Sequence, residues 1–129
     1  MSKEEKKSRF TIPTEKGIGE VVISDEVIAT IAALAAIEVK GVVSMVGTMP
    51  NEIIEKLGMK KLSKGVKIVM AEDAVSIDMA LNISDTAVIP EVSEEVQMKV
   101  KSAVETMTGY PVEAVNIRVA SVVIESTAN

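Results

Sequence analysis

Apolar and polar residues alternate in the second half of the chain, as is typical of β-strands. In the segment 75–83 (VSIDMALNI) every second residue is apolar, and the segment 66–72 (VKIVMAE) precedes it across Asp73 and Ala74. Because the side chains of a strand point alternately to its two faces, such a strand buries one face and exposes the other. The two segments are therefore predicted to form a β-hairpin.

Two other segments have the three- to four-residue apolar spacing of amphipathic helices. The first follows Ser24, a suitable N-cap, and stops before Gly41. The second opens at Pro90 and closes at Gly109. The positions predicted to face the core are Val27, Ile31, Leu34 and Ala35 in the first helix, and Val92, Val96, Val100, Ala103 and Met107 in the second.

The remaining strands are predicted at 19–23, 42–46 and 115–123, with a short helix at 51–58. In the last strand, one side is predicted to carry Val115, Ile117, Val119, Ser121 and Val123, and the other Asn116, Arg118 and Ala120. The element order is then β-α-β-(short α)-β-β-α-β. This order predicts an α+β fold, a two-layer α/β sandwich in which two main helices cover one face of a mixed β-sheet.

The chain of 129 residues is long enough for one core, so a single domain is predicted over residues 18–125. Residues 1–17 are highly charged and are expected to form a flexible tail, and residues 126–129 to fray. The N-terminus lacks the apolar core of a signal peptide, and the longest apolar run, 27–37, is too short to cross a bilayer. A cytoplasmic protein without direct membrane insertion is expected.

Composition argues against catalysis. The chain has no histidine and no cysteine, which removes the commonest general base, thiolate nucleophiles and the usual soft metal ligands. The acidic residues at 72–73 and 91–95 lack the ligand spacing of a calcium loop. We therefore expect no enzyme activity, no metal site and no cofactor. A net charge of −5 also disfavours nucleic-acid binding by the domain as a whole.

One face of the predicted sheet is small and polar. It carries Asp78 and Asn82 on one strand and Asn116 and Arg118 on another. This face is predicted to be open, either as a solvated surface or as a flat docking surface for a partner or a second subunit. Asp78 and Arg118 are placed to pair across it.

The segment 52–64 forms a basic amphipathic edge in an otherwise acidic chain. Lys56, Lys60 and Lys61 stand among apolar residues of the same segment. The ordinary interpretation is a satellite helix that covers the core. A partner-binding segment, or one that binds a membrane surface or RNA, is the alternative.

Three stretches carry a family resemblance when they are read in order. They are GEVVISDEVIATIAALAAIEVKGV, KGVKIVMAEDAVSIDMALNIS and IPEVSEEVQMKVKSAVETMTGYPVEAVNIRVASVVI, which together run from Gly19 to Ile124. In these stretches the chain resembles the alkaline shock protein family, the Gls-type general stress proteins of Gram-positive bacteria. The resemblance implies a small cytoplasmic protein of cell-envelope stress or homeostasis, with no catalytic motif.

The resemblance also implies the partners. Some members are held at the membrane by a separate anchor protein, and others are encoded near fatty-acid synthesis functions. We therefore expect a self-associating protein-interaction domain that binds a membrane anchor protein or a lipid-synthesis enzyme at the inner face of the membrane. The alternatives are an RNA-binding module and a carrier with a lipid cavity between helix and sheet.

Overall fold

The computed structural model describes residues 9–12, 16–46, 63–71 and 73–124. The strands are β1 (Arg9–Ile12), β2 (Val21–Ser24), β3 (Val42–Met45), β4 (Val66–Met70), β5 (Val75–Ser84) and β6 (Val112–Val123). The helices are α1 (Asp25–Ile37) and α2 (Ile89–Thr108), and a 3₁₀ turn covers Ser63–Gly65. These elements confirm the predicted α+β class. The short helix predicted at 51–58 lies outside the described residues.

Strand β5 is the centre of a four-stranded mixed sheet. Strand β6 runs parallel to it along its whole length, from Val75 to Ser84. On its other edge, β3 pairs antiparallel with residues 81–83 and β4 with residues 75–79. Strands β3 and β4 are therefore two halves of one edge strand, interrupted opposite Ala80, where the Val46 amide donates to the Ala80 carbonyl at 3.2 Å.

The first two strands form a separate antiparallel ribbon, in which Arg9 is opposite Ser24 and Ile12 is opposite Val21. The predicted strand at 19–23 thus exists as β2 but does not join the main sheet. Strand β1 lies within the segment predicted to be a flexible tail, so strand pairing begins earlier in the chain than Gly17. The domain bounds themselves stay a prediction.

Local sequence signals explain the ends of both helices. The Ser24 hydroxyl accepts a hydrogen bond from the Val27 amide at 3.3 Å, which satisfies one free donor at the start of α1. Gly109 ends α2 in the left-handed conformation, with φ at 73°, and its amide donates to the Glu105 carbonyl at 2.8 Å. The hairpin between β4 and β5 is also confirmed, closed by a 2.8 Å bond from the Ala71 amide to the Ala74 carbonyl.

The core lies between the helices and one face of the sheet. Alanines allow α1 to approach the strands closely, and branched side chains of β5 and α2 fill the remaining space. The fully buried members with large side chains are Ile28, Met45, Val75, Ile77, Leu81, Ile83, Val96, Val100 and Val104. Packed side chains therefore fill the centre of this layer, and an open depression of about 400 Å³ lies at its edge, between α1 and β4.

Several residues that were predicted on the apolar side of their elements are placed differently. Val27 of α1 is 47% exposed. Met107 is 69% exposed, because α2 buries Val92, Val96, Val100, Val104 and Thr108 at a steady four-residue interval. Ser121 was predicted to share the apolar side of β6. A bulge at Ala120 shifts the register, so Ser121 and Val123, which was predicted on the same side, instead lie opposite Asn82 and Ser84.

Candidate interaction surface

The face of the sheet turned away from the core is small and polar, as predicted. Its side chains come from alternate residues of β5, namely Ser76, Asp78, Ala80, Asn82 and Ser84, and from their partners on the neighbouring strands. In the described part of the chain, α1 and α2 both pack on the opposite side. We call this surface the open face.

The first polar row of the open face crosses three strands. Lys67 of β4 and Asn116 of β6 are the register partners of Asp78 on its two sides. The Asn116 side-chain amide donates a hydrogen bond of 2.7 Å to a carboxylate oxygen of Asp78. Asp78 is therefore held in a fixed orientation by an uncharged neighbour.

The predicted ion pair between Asp78 and Arg118 is wrong. Arg118 is the register partner of Ala80, which lies two residues after Asp78 in β5. Within the described ranges Arg118 forms no salt bridge, whereas Asp78 bonds to Asn116. Side chains that lie directly opposite each other interact most closely. The parallel register of β5 and β6 therefore pairs Asp78 with Asn116 instead of Arg118.

A second polar row crosses the other end of the open face. The Asn82 side chain donates to the Ser44 hydroxyl at 3.0 Å and accepts from the Ser121 hydroxyl at 2.7 Å. This row ties β3, β5 and β6 together through side chains. Asn82 was a predicted site residue, whereas Ser121 was missed because its position depends on the bulge at Ala120.

Between the two rows, the open face has a shallow depression of about 450 Å³. The buried Ala80 contributes to its lining, and so do Asp78, Asn116 and Arg118, three of the four predicted residues of this face. Lys64 and Lys67 also line it. The depression therefore gathers three cationic side chains around one carboxylate that is already hydrogen-bonded, and an anionic group is the ligand such an arrangement favours.

The remaining predicted residues, Lys56, Lys60 and Lys61, lie outside the described residues. Lys67 was missed by the sequence reasoning, although a signal was available. The alternation in VKIVM places Lys67 on the face opposite Val66 and Ile68. Only the pairing of Lys67 with Asp78 shows that this face is the open one.

Among the helices of the described ranges, none is long and apolar enough to cross a membrane. Solved structures with a similar arrangement include variants of the MamM CTD. One of them has a TM-score of 0.47 and 14% identity, and the alignment covers 75% of this chain and 94% of that one. A likeness at this level carries no functional argument.

Sequence relatives are much nearer. YqhY of Bacillus subtilis is 32% identical over 111 residues, which are 86% of this chain and 82% of that protein. YloU of the same organism is 36% identical over 106 residues, covering 81% and 88%, respectively. Spy1535 of Streptococcus pyogenes is 36% identical over 115 residues, covering 88% and 87%. The model of the alkaline shock protein family, described as having a cell envelope-related function, matches residues 13–124, and the chain belongs to this family.

Proposed function

We propose that the protein is a non-catalytic interaction module of cell-envelope homeostasis and that its open face is the docking surface. The observation that carries this proposal is the depression beside Ala80, where Lys64, Lys67 and Arg118 converge. The chain as a whole has a net charge of −5, so positive charge gathered on this face is a local feature. Such a patch favours a partner that presents an acidic side chain.

The hydrogen bonds of the open face favour docking over catalysis. Asp78 is bonded to Asn116, and Asn82 to Ser44 and Ser121. These hydrogen bonds join side chains of neighbouring strands and hold the surface rigid. A surface whose side chains are already ordered loses little side-chain entropy when a partner docks on it.

The proposed partners are those that the family resemblance implies, and the family's cell envelope-related function supports them. They are a membrane anchor protein or a lipid-synthesis enzyme, with a second copy of the chain as a further occupant. In this proposal the protein is cytoplasmic and is recruited to the inner face of the membrane by its partner.

The test is crosslinking in living cells followed by mass spectrometry, with Arg118→Glu as the disrupting variant. Arg118 is exposed, so replacing it with glutamate cancels the net positive charge of the depression without opening the core. Lys40→Glu makes a similar change at an exposed residue between α1 and β3 and is the matched control. We expect about a tenfold loss of partner binding for Arg118→Glu and unchanged binding for Lys40→Glu.

Two outcomes contradict the proposal. One is a wild-type protein that sediments as a strict monomer and gives no reproducible crosslinked partner. The other is an RNA retention assay with salt-dependent binding that disappears when Lys56, Lys60 and Lys61 are neutralised. The second result would replace docking by the RNA-binding alternative.

A further inference from the structure

An apolar groove lies between α1 and α2, on a different part of the molecule from the open face. It has a volume of about 660 Å³. Its walls include exposed or half-buried side chains of α1 and α2, namely Val27, Ile31, Leu34, Ala103 and Met107. All five were predicted to face the core, and Val27 and Met107, the most exposed of them, lie in this groove instead.

The dimensions of the groove match a helix. Along α1 its lining extends from Glu26 to Glu38, which is about 18 Å, or three turns, at the rise of an α-helix. The apolar positions Val27, Ile31 and Leu34 follow the i, i+4, i+7 spacing and so form a continuous ridge. A partner helix with the same spacing on its apolar side packs against such a ridge through interlocking side chains.

The rim of the groove is acidic. Glu26 and Glu38 lie at its two ends on α1, and Lys99 lines it on α2. Lys99 already forms an ion pair with Glu38, with a distance of 3.6 Å between the charged atoms. Because Lys99 balances only one of the two glutamates, the net charge of the groove lining is negative. A negative rim favours lysine or arginine beside the apolar stripe of the partner.

We infer that this groove binds an amphipathic helix of a partner protein, with an apolar stripe toward Val27 and Met107 and basic residues toward Glu26 and Glu38. Docking the grooves of two copies would bring the same glutamates against each other. A fatty acid would place its carboxylate beside this acidic rim. Charge complementarity thus selects a basic helix over both of these occupants.

The test is a titration of the full-length protein with a synthetic helical peptide of about four turns, followed by backbone amide NMR. The peptide carries leucines at i, i+4 and i+7 with lysines on both flanks. Peptides with scrambled leucines and with glutamate flanks are the controls. Met107→Lys is the disrupting variant, and Met98→Lys is the matched control, because Met98 is an equally exposed methionine of α2 that does not line the groove.

We expect saturable shifts at groove residues of α1 and α2, binding about tenfold weaker with Met107→Lys, and unchanged binding with Met98→Lys. The glutamate-flanked peptide should bind more weakly than the lysine-flanked one, and added salt should reduce the difference. The inference is overturned if binding is absent, if both methionine variants behave alike, if palmitate displaces the peptide, or if the groove proves to be covered by a second copy. Arg118→Glu should leave peptide binding unchanged, because Arg118 does not line the groove. This result would distinguish binding in the groove from docking on the open face.

Discussion

Two glycines with left-handed backbone, Gly41 and Gly109, lie where the chain turns. The free-energy cost of replacing each one depends on the atoms that surround it. Gly109 has φ at 73° and Gly41, between α1 and β3, has φ at 106°. An alanine Cβ at Gly109 would meet nothing within 4 Å. At Gly41 it would come within 2.8 Å of a Val92 methyl group and 3.1 Å of Ala87. Both positions need glycine for their backbone, but only Gly41 also needs it for packing.

We therefore expect Gly109→Ala to lower the free energy of unfolding by about 1 kcal/mol, the cost of a left-handed alanine. Gly41→Ala should lower it by about 3 kcal/mol, because α2 must also move to admit the methyl group. Urea denaturation followed by circular dichroism measures both values. Gly19→Ala is the control, since Gly19 has no left-handed backbone and no neighbour in contact range. Equal losses at 41 and 109 would show that Val92 adapts without cost.

At the scale of elements, a pair of side chains fastens α2 to the first residue of β6. The Glu105 carboxylate accepts from the Lys101 ammonium at 2.8 Å and from the Val112 amide at 2.9 Å, and Lys101 also donates to the Val112 carbonyl at 3.0 Å. The Lys101 hydrogen bond, followed by the Val112 amide, lowers the pKa of Glu105 below its ordinary value. The charged carboxylate is therefore the form that the folded state stabilises.

This shift predicts a pH dependence. Because the pKa of Glu105 is lower in the folded state, its stabilising contribution is complete above the unfolded value of 4.5 and is lost as the pH falls through the folded value. Glu105→Gln should be less stable than wild type at pH 7, and the difference should shrink toward pH 3. Thermal denaturation across this range measures it, with Glu94→Gln as the control for removing one negative charge. A constant difference at every pH would contradict the assignment.

The elements could be predicted from sequence as far as local signals determine them. Ser24, Gly109 and the Asp73–Ala74 turn each specify a chain reversal or a helix end within a few residues, and the structure confirms all three. The interruption between β3 and β4 and the bulge at Ala120 were not predictable, because both arise from the register of distant strands against β5.

The same limit applies to the candidate surfaces. Alternation alone placed Asp78, Asn116 and Arg118 on one face, but their partners depend on register, so the wrong pair was predicted. The groove was missed because the apolar residues that line it were all assigned to the core. In the structure Val104 and Thr108 take the buried positions of α2, which leaves Met107 exposed in the groove.

At the scale of the whole molecule, β5 joins the parts into one structure. It pairs with β3, β4 and β6, and its inward side chains contribute to the core on which both helices pack. Both proposed binding surfaces are built around this core, one on the open face and the other on the helices. Substitutions on either surface are therefore informative only if the core stays folded. Arg118 and Met107 are both exposed, so replacing them should leave the core intact.

A substitution in β5 should destabilise all of these elements together. Ile77 is fully buried, and Ile77→Ala should lower the free energy of unfolding by about 3 kcal/mol, the sum of lost burial and an incompletely filled cavity. Val122→Ala, at a position that is 50% exposed, should change it by less than about 0.5 kcal/mol. Hydrogen exchange should show equal loss of protection in α1, α2 and β6 for Ile77→Ala, because the helices and the outer strand share the core that the substitution opens. A loss confined to β4 and β5 would instead show that the helical layer holds together without the sheet.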